Sequence, residues 1–249
     1  MILADDNFAT IVAAVREGRG ILDNIRKFLR YLLSSNMGEV LTVLLGVLGA
    51  RALGLIEAGG AVVLPLLATQ ILWINLVTDS GPALAMGVDP QQDDVMGLRP
   101  RRPDERVIDW PMWSGVLQIG LVMALATLFT LDLYLPGGMI EGEQSLQTAR
   151  SAAFTVLVLA QLFNAFNARS ERGSAFRGLL GNRWLWAAVL AGALLQVLVV
   201  QLEGLNQVFE TAPLDRWQWL QCVAIASSVL LYSECRKWLT RRRSAGART

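Results

Sequence analysis

Six stretches of about 20 mostly apolar residues punctuate this chain, at roughly 29–50, 65–86, 111–134, 149–168, 184–202 and 217–238. Each is long enough to cross a hydrocarbon layer about 30 Å thick as a helix. The third carries Asp132 near its end. The fourth is the least pure, with Gln161, Asn164 and Asn167. Residues 5–30 follow a different pattern. Phe8, Ile11, Val12 and Val15 recur at helical spacing with charges between them. Asp5 or Asp6 can cap the start. The pattern predicts a cytoplasmic helix running straight into the first span. Most connections are short. The longest, "GVDPQQDDVMGLRPRRPDERVIDW", is rich in Pro and charge and is predicted to be a surface loop.

The expected fold is therefore all-α: a polytopic membrane protein of six transmembrane helices with a short N-terminal cytoplasmic stalk helix. Residues 1–28 form the stalk region, 29–240 the six-helix transmembrane domain and 241–249 a basic cytoplasmic tail. Composition agrees, since 53% of residues are hydrophobic and 17% charged, against about 25% charged in a soluble domain. The lipid bilayer is the first partner. All but three of the 22 Lys and Arg fall in the N-terminal segment, the second-to-third and fourth-to-fifth linkers and the C-terminal tail. The positive-inside rule then puts both termini in the cytoplasm. Trp110, Trp113, Trp184, Trp186, Trp217, Trp219 and Trp238 lie near span ends, where an interfacial belt belongs. A net charge of +1 gives no reason to expect nucleic acid. Arg241–Arg243 suit an anchor near anionic lipid.

Polar groups inside the spans carry the candidate chemistry. A carboxylate at mid-bilayer costs about 2.5–3.5 kcal/mol on insertion scales, yet Glu39 and Asp79 both fall within spans. Asn75, Thr78 and Asp79 stand at i, i+3 and i+4 and share one helix face. Asn36 and Glu39 stand at i and i+3 on another helix, and Gln161 and Asn164 repeat that spacing on a third. Gly81-Pro82 then interrupts the second span. Pro82 has no N–H to give the Thr78 carbonyl, and a freed carbonyl at membrane depth is tolerated where it lines a cavity. An all-oxygen set with two carboxylates suits a hard cation such as Ca²⁺. With no His, and with Cys222 and Cys235 confined to the last span, copper and zinc are poor fits. The competing structural reading is that these groups are hydrogen-bonding glue between helices.

Three segments, "DDNFATIVAAVREGRGILDNIRKFLRYLLSSNMGEV", "QILWINLVTDSGPALAMGVDP" and "DVMGLRPRRPDERVI", closely resemble the calcium-transporting P-type ATPases. The resemblance is dense over residues 5–108 and weaker afterwards. It implies the C-terminal membrane half of such a pump, comprising the end of the phosphorylation domain, the stalk and the last six of ten membrane helices. It also implies cation ligands at Asn36, Glu39, Asn75, Thr78 and Asp79, from the motifs "SSNxGE" and "NLVTD". Sodium- and potassium-pumping members carry proline between that Asn and Glu. Gly38 stands here, which favours calcium as the transported ion. Two-calcium members carry a glutamate where this chain has Gln161, so one ion per cycle is expected. "TDSGP" replaces the "TDGLP" of animal reticulum pumps and keeps the proline in place.

The family's phosphorylation motif "DKTGT" does not occur in this sequence. ATP and magnesium are therefore expected to act only through a missing N-terminal catalytic half, the second partner. The chain would be a truncated piece, a gene fragment beginning at an internal Met, or one part of a split pump, in the plasma membrane. A self-standing six-helix channel or secondary transporter is the alternative, and a regulatory membrane subunit a third. The stalk-like segment favours the pump, because a channel has no need of a cytoplasmic lever. The isolated chain is expected to form no acid-stable phosphoenzyme from ATP. Phosphoenzyme formation by the purified chain would refute this.

Overall fold

The computed structural model describes residues 7–56, 59–90, 96–97, 106–170, 173–175 and 179–246. Asp5 and Asp6 lie outside these. The first helix is capped by the next residue, Asn7, whose side chain accepts from the Ala9 N–H at 3.0 Å. That helix, α1 (Phe8–Leu48), runs unbroken through the expected stalk and the first span. The others are α2 (Ala68–Trp73), a π-helical turn (Ile74–Thr78), α3 (Ser80–Gly87), α4 (Trp110–Tyr134), α5 (Leu146–Ala168), α6 (Arg183–Gln201), α7 (Glu203–Phe209), α8 (Arg216–Ala226) and α9 (Ser228–Gly246). The fold is all-helical. Among the described residues, β-pairing is limited to one isolated bridge, Ile56 to Val62.

Four helices, α1, α4, α5 and α6, are long and apolar enough to cross a membrane. The other two predicted spans are not single helices. The stretch 65–86 is split into α2, the π turn and α3. The stretch 217–238 divides at Ser227, whose hydroxyl donates to the Ala224 carbonyl at 2.6 Å. The first split has a physical origin near the one expected, but displaced. Pro82 sits in the first turn of α3, where its missing N–H is tolerated. The distortion falls one turn earlier, where the Asp79 N–H reaches back five residues to Ile74 O at 2.9 Å. Instead of unwinding at Gly81, the chain widens into a π turn ahead of Asp79.

The predicted span that carries Gln161, Asn164 and Asn167 is the most enclosed of the four membrane-length helices. α5 is buried along almost its whole length and packs against α1, α4, α6, α8 and α9. Ala149, Ser151, Ala152, Ala153, Ala160 and Ala165 keep it slim. In a bilayer the lipid is as apolar as a leucine, so small and polar residues mark the helix–helix interface instead. α1 obeys the same rule. It buries Tyr31, Ser34, Ser35, Gly38, Glu39, Thr42 and Gly46, and exposes Val40, Leu44, Val47 and Leu48. It packs tightly on α4 at Gly120, where a Cβ would lie 2.8 Å from the Met37 side chain.

Asp132, noted near the end of the third span, is buried and ties the end of α4 to the turn that follows. It accepts from Met139 N and Ile140 N at 2.9 and 3.1 Å. Cys222 is buried against α5, whereas Cys235 is exposed. Gly120→Val should force α1 and α4 apart. Overpacking of this kind costs about 1–3 kcal/mol. Thermal unfolding in detergent should show a lower midpoint than for the parent, and an unchanged midpoint would mean the interface yields freely.

Candidate cation site

The side chains that give α1 its polar face converge with the π turn and α5. Glu39 is 4% exposed and accepts at both oxygens. Asn75 Nδ2 donates to Oε2 at 2.6 Å and Gln161 Nε2 donates to Oε1 at 3.0 Å. One carboxylate thus joins three elements. Asp79 is 1% exposed and accepts from the Tyr31 hydroxyl at 2.7 Å through Oδ1. Its Oδ2 is buried without a hydrogen bond, as are Gln161 Oε1 and the nearby Ser35 hydroxyl. Thr78 is buried and its hydroxyl donates to Ile74 O at 3.0 Å. One turn along α1, Asn164 Nδ2 donates to Ser34 Oγ at 2.7 Å.

Four of the six sequence-predicted site residues, Glu39, Asn75, Asp79 and Gln161, therefore lie together where α1, the π turn and α5 meet, while Thr78 is buried in the π turn with its hydroxyl turned back onto Ile74 O. Asn36 does not join them. It is exposed, and its Nδ2 turns back onto Leu32 O of its own helix at 2.9 Å. Residues three apart on a helix diverge by about 60°, which is enough to leave Asn36 outside the contact while Glu39 is inside it.

A buried acceptor without a donor forgoes a hydrogen bond and costs about 1–3 kcal/mol. A cation is an alternative partner for such an oxygen. The donors on offer are carboxylate, amide and hydroxyl oxygens, the set that hard cations take. Among the described residues no three His, Cys, Asp or Glu come together. The formal charge of the cluster thus rests on Glu39 and Asp79, with neutral oxygens around them. The π turn helps by adding a residue to the backbone between Asn75 and Asp79. Such bulges recur where a helix must re-aim side chains at a functional position.

Two features escaped the sequence reading. The first is Tyr31, an aromatic residue on the stalk side of the first span that secures Asp79. The second is Asp89, in the loop expected to be exposed. Its side chain is 0% exposed and accepts from Lys27 Nζ at 2.9 Å, Arg169 Nε at 3.0 Å and Asn182 Nδ2 at 2.9 Å. Asn24 donates to the Asp89 backbone carbonyl at 3.0 Å. Further back on α1, Arg26 pairs with Asp109 at 2.8 Å, the residue that also caps α4. The visible signal was the number of cations on α1, whose partners are remote in sequence. The rest of that linker, at 91–95 and 98–105, lies outside the described residues.

A bundle of lipid-length helices with carboxylates and amides buried at its centre is the architecture of an integral membrane protein. The chain belongs to the family described as "Cation transporting ATPase, C-terminus", whose model matches residues 63–239. It is 38% identical over 227 residues to a calcium-transporting ATPase of Bacillus subtilis (strain 168), covering 91% of this chain and 24% of that protein. It is 36% identical over 232 residues to the probable cation-transporting ATPase F of Mycobacterium bovis, covering 93% of this chain and 24% of the relative. The ATPase F of Mycobacterium tuberculosis H37Rv matches equally well. The chain thus spans about a quarter of the length of these relatives.

Asp89→Ala should leave Lys27 and Arg169 facing each other with one carboxylate fewer. Removing one partner of a buried ion pair costs about 3–5 kcal/mol. The variant should unfold well below the parent in a thermal melt, and Asp89→Asn should lie between the two because it keeps hydrogen-bonding capacity. Parent-like melting of the alanine variant would mean these cations are satisfied elsewhere.

Proposed function

We propose that this chain is the ion-translocating part of an ATP-driven cation pump, with calcium as its cargo. The observation that carries the proposal is the pair of buried, donorless oxygens, Asp79 Oδ2 and Gln161 Oε1, beside the Glu39 carboxylate. Glue between helices would pair these atoms with donors. A cation needs them unpaired. The calcium-transporting relative supports the choice of ion, as does an oxygen-only donor set.

In this reading the interrupted stretches 65–86 and 217–238 complete six spans, and both termini face the cytoplasm in the plasma membrane. A break in a span is compatible with crossing where irregular backbone is enclosed by protein. Asn75, Glu39 and Gln161 hold the ion pocket in shape when it is empty, through the two amide bonds to Glu39. Cation entry replaces those bonds. Asn36, exposed in this chain, would serve the ion only if the preceding polypeptide covers that face of α1. Phosphorylation by ATP, with magnesium, takes place on that preceding polypeptide, and α1 transmits its movement to the site.

The test is equilibrium calcium binding to the whole pump polypeptide. Asp79→Asn keeps the shape and removes the charge that a hard cation requires. It should lower calcium affinity at least 100-fold, roughly the loss of one strong charge interaction of about 3 kcal/mol. Near-parent affinity would demote Asp79 to helix packing.

Stoichiometry follows from the same charges. Two carboxylates balance one divalent ion and balance two poorly, and an uncompensated charge at low dielectric is costly. One bound calcium and a Hill coefficient near one are expected for the parent. Gln161→Glu supplies a third carboxylate and is expected to tighten binding or admit a second ion. Two ions bound cooperatively by the parent would refute the role given to Gln161.

A further inference from the structure

A second polar site lies at the C-terminal end of α5, about one turn beyond Gln161 of the cation cluster, with Ser34 and Asn164 on its wall. Here α1, α4, α5 and α9 leave a narrow open cleft of about 20 Å³ whose lining includes Arg30, Arg236 and Lys237. Two of these cations have structural work. Arg30 Nη1 donates to Ala168 O at 2.9 Å and Lys237 Nζ donates to Asn167 O at 3.1 Å. Both cap the C-terminal carbonyls of α5, where the helix dipole favours positive charge.

Arg236 has no such task. It is partly buried, and its guanidinium lies against Gly115 of α4, where a Cβ would come within 2.9 Å of Nη1. Among the described residues its guanidinium finds no hydrogen-bond acceptor. Arg241, one turn further along α9, adds its charge to the field on Lys237, together with Arg30 and Arg236. The carboxylate of Glu234 is the counter-charge near Lys237, at 3.9 Å, and it also accepts from Ala175 N at 2.7 Å. Among the described residues, Arg30, Arg236 and Lys237 line the cleft beside one carboxylate, that of Glu234, and the C-terminus of α5. The five rigid donors of Arg236 are uncommitted.

We propose that this cleft binds a phosphate group, that of an anionic phospholipid headgroup. Guanidinium and ammonium groups converging on one opening form a phosphate-binding set. The level of the cleft along the bundle indicates a lipid source. Trp113, in the first turn of α4, and Trp238, beside Lys237 on α9, are both exposed at this end of the bundle, and the Arg242 guanidinium sits 3.8 Å from the Trp238 ring centroid. Exposed tryptophans beside Arg and Lys mark the headgroup level of a bilayer. Asn167, on the cleft wall, keeps its Oδ1 buried without a donor. A headgroup hydroxyl or ammonium meets that need. Basic pockets between membrane helices hold lipid headgroups on the cytoplasmic side. That placement rests on the orientation proposed above, with both termini in the cytoplasm.

The test uses the full-length protein in nanodiscs of mixed phosphatidylglycerol and phosphatidylcholine, followed by detergent exchange and native mass spectrometry. The parent should keep about one phosphatidylglycerol per chain while phosphatidylcholine exchanges away. Arg236→Gln removes a charge that makes no protein hydrogen bond, so the fold should survive. It should lower retention roughly 5-fold or more, and Lys237→Gln should do likewise. Millimolar inorganic phosphate is the second arm. Displacement of the lipid by phosphate, or protection by phosphate alone in detergent, would confirm the anion site and assign it to the free ion. Parent-level retention in both variants, or equal retention of phosphatidylcholine, would overturn the proposal. Calcium binding measured on the same samples separates the two sites. Arg236→Gln should leave it unchanged, and loss of lipid retention with calcium binding intact would leave the pump function standing.

Discussion

Everything in the bundle turns on where Glu39 puts its negative charge. An unpaired carboxylate at this depth would be expelled or would distort the bilayer around it. It is held instead by amide donors from two other elements, Asn75 on the π turn and Gln161 on α5. Those two bonds require α1, the π turn and α5 to lie within side-chain reach of one another. α5 can come that close because it is lined with alanine and serine. α1 can because its inner face is Ser34, Ser35, Gly38 and Thr42. The polar cluster and the small-residue packing are thus one feature: thin helices bring the amides in, and the amides make the buried charge tolerable.

That link explains which parts of the structure could be read from the sequence. Apolar runs marked the four helices long enough to cross a membrane, α1, α4, α5 and α6, because lipid selects for apolar surface on every side. Charged and amide residues inside those runs marked Glu39, Asp79, Asn75 and Gln161, because nothing but a partner or a ligand offsets their cost. Hydrophobic periodicity could not tell the inner face from the outer. In water the buried stripe of a helix is its apolar one. In α1 the relation is inverted, with valine and leucine outside and serine, glycine and threonine inside. An offset of three residues therefore suggested that Asn36 accompanies Glu39, whereas the helix turns Asn36 away. Tyr31 escaped notice for the same reason, since an aromatic near a span end reads as an interfacial anchor.

The Asp89 cluster was illegible for a different reason. Its members, Asn24, Lys27, Asp89, Arg169 and Asn182, come from four separate stretches of chain. Each taken singly is an ordinary polar residue on the stalk segment or in a connecting loop. Their burial follows only once α1, α3, α5 and α6 are packed and their ends meet. The π turn likewise left a blurred trace. Gly81-Pro82 announced a disturbance, but the backbone met proline's missing donor by letting α3 begin just before it. The slack moved one turn upstream, where it serves Asn75 and Asp79.

α1 connects the two clusters. Lys27 and Glu39 are 12 residues apart on one unbroken helix, a separation of about 18 Å along its axis. Lys27 is fixed to Asp89 and Glu39 to Asn75 and Gln161, each at hydrogen-bonding distance. A helix with a closed hydrogen-bond ladder does not shorten appreciably. Any shift of α1 along its axis or rotation about it must therefore disturb both sets of bonds together. The α3 segment reinforces this, because its two ends carry Asp79 at the membrane cluster and Asp89 beyond it. A displacement of the Phe8 end of α1 along its axis thus reaches the Glu39 carboxylate as well as Lys27, and a change in what Glu39 binds is felt at Lys27.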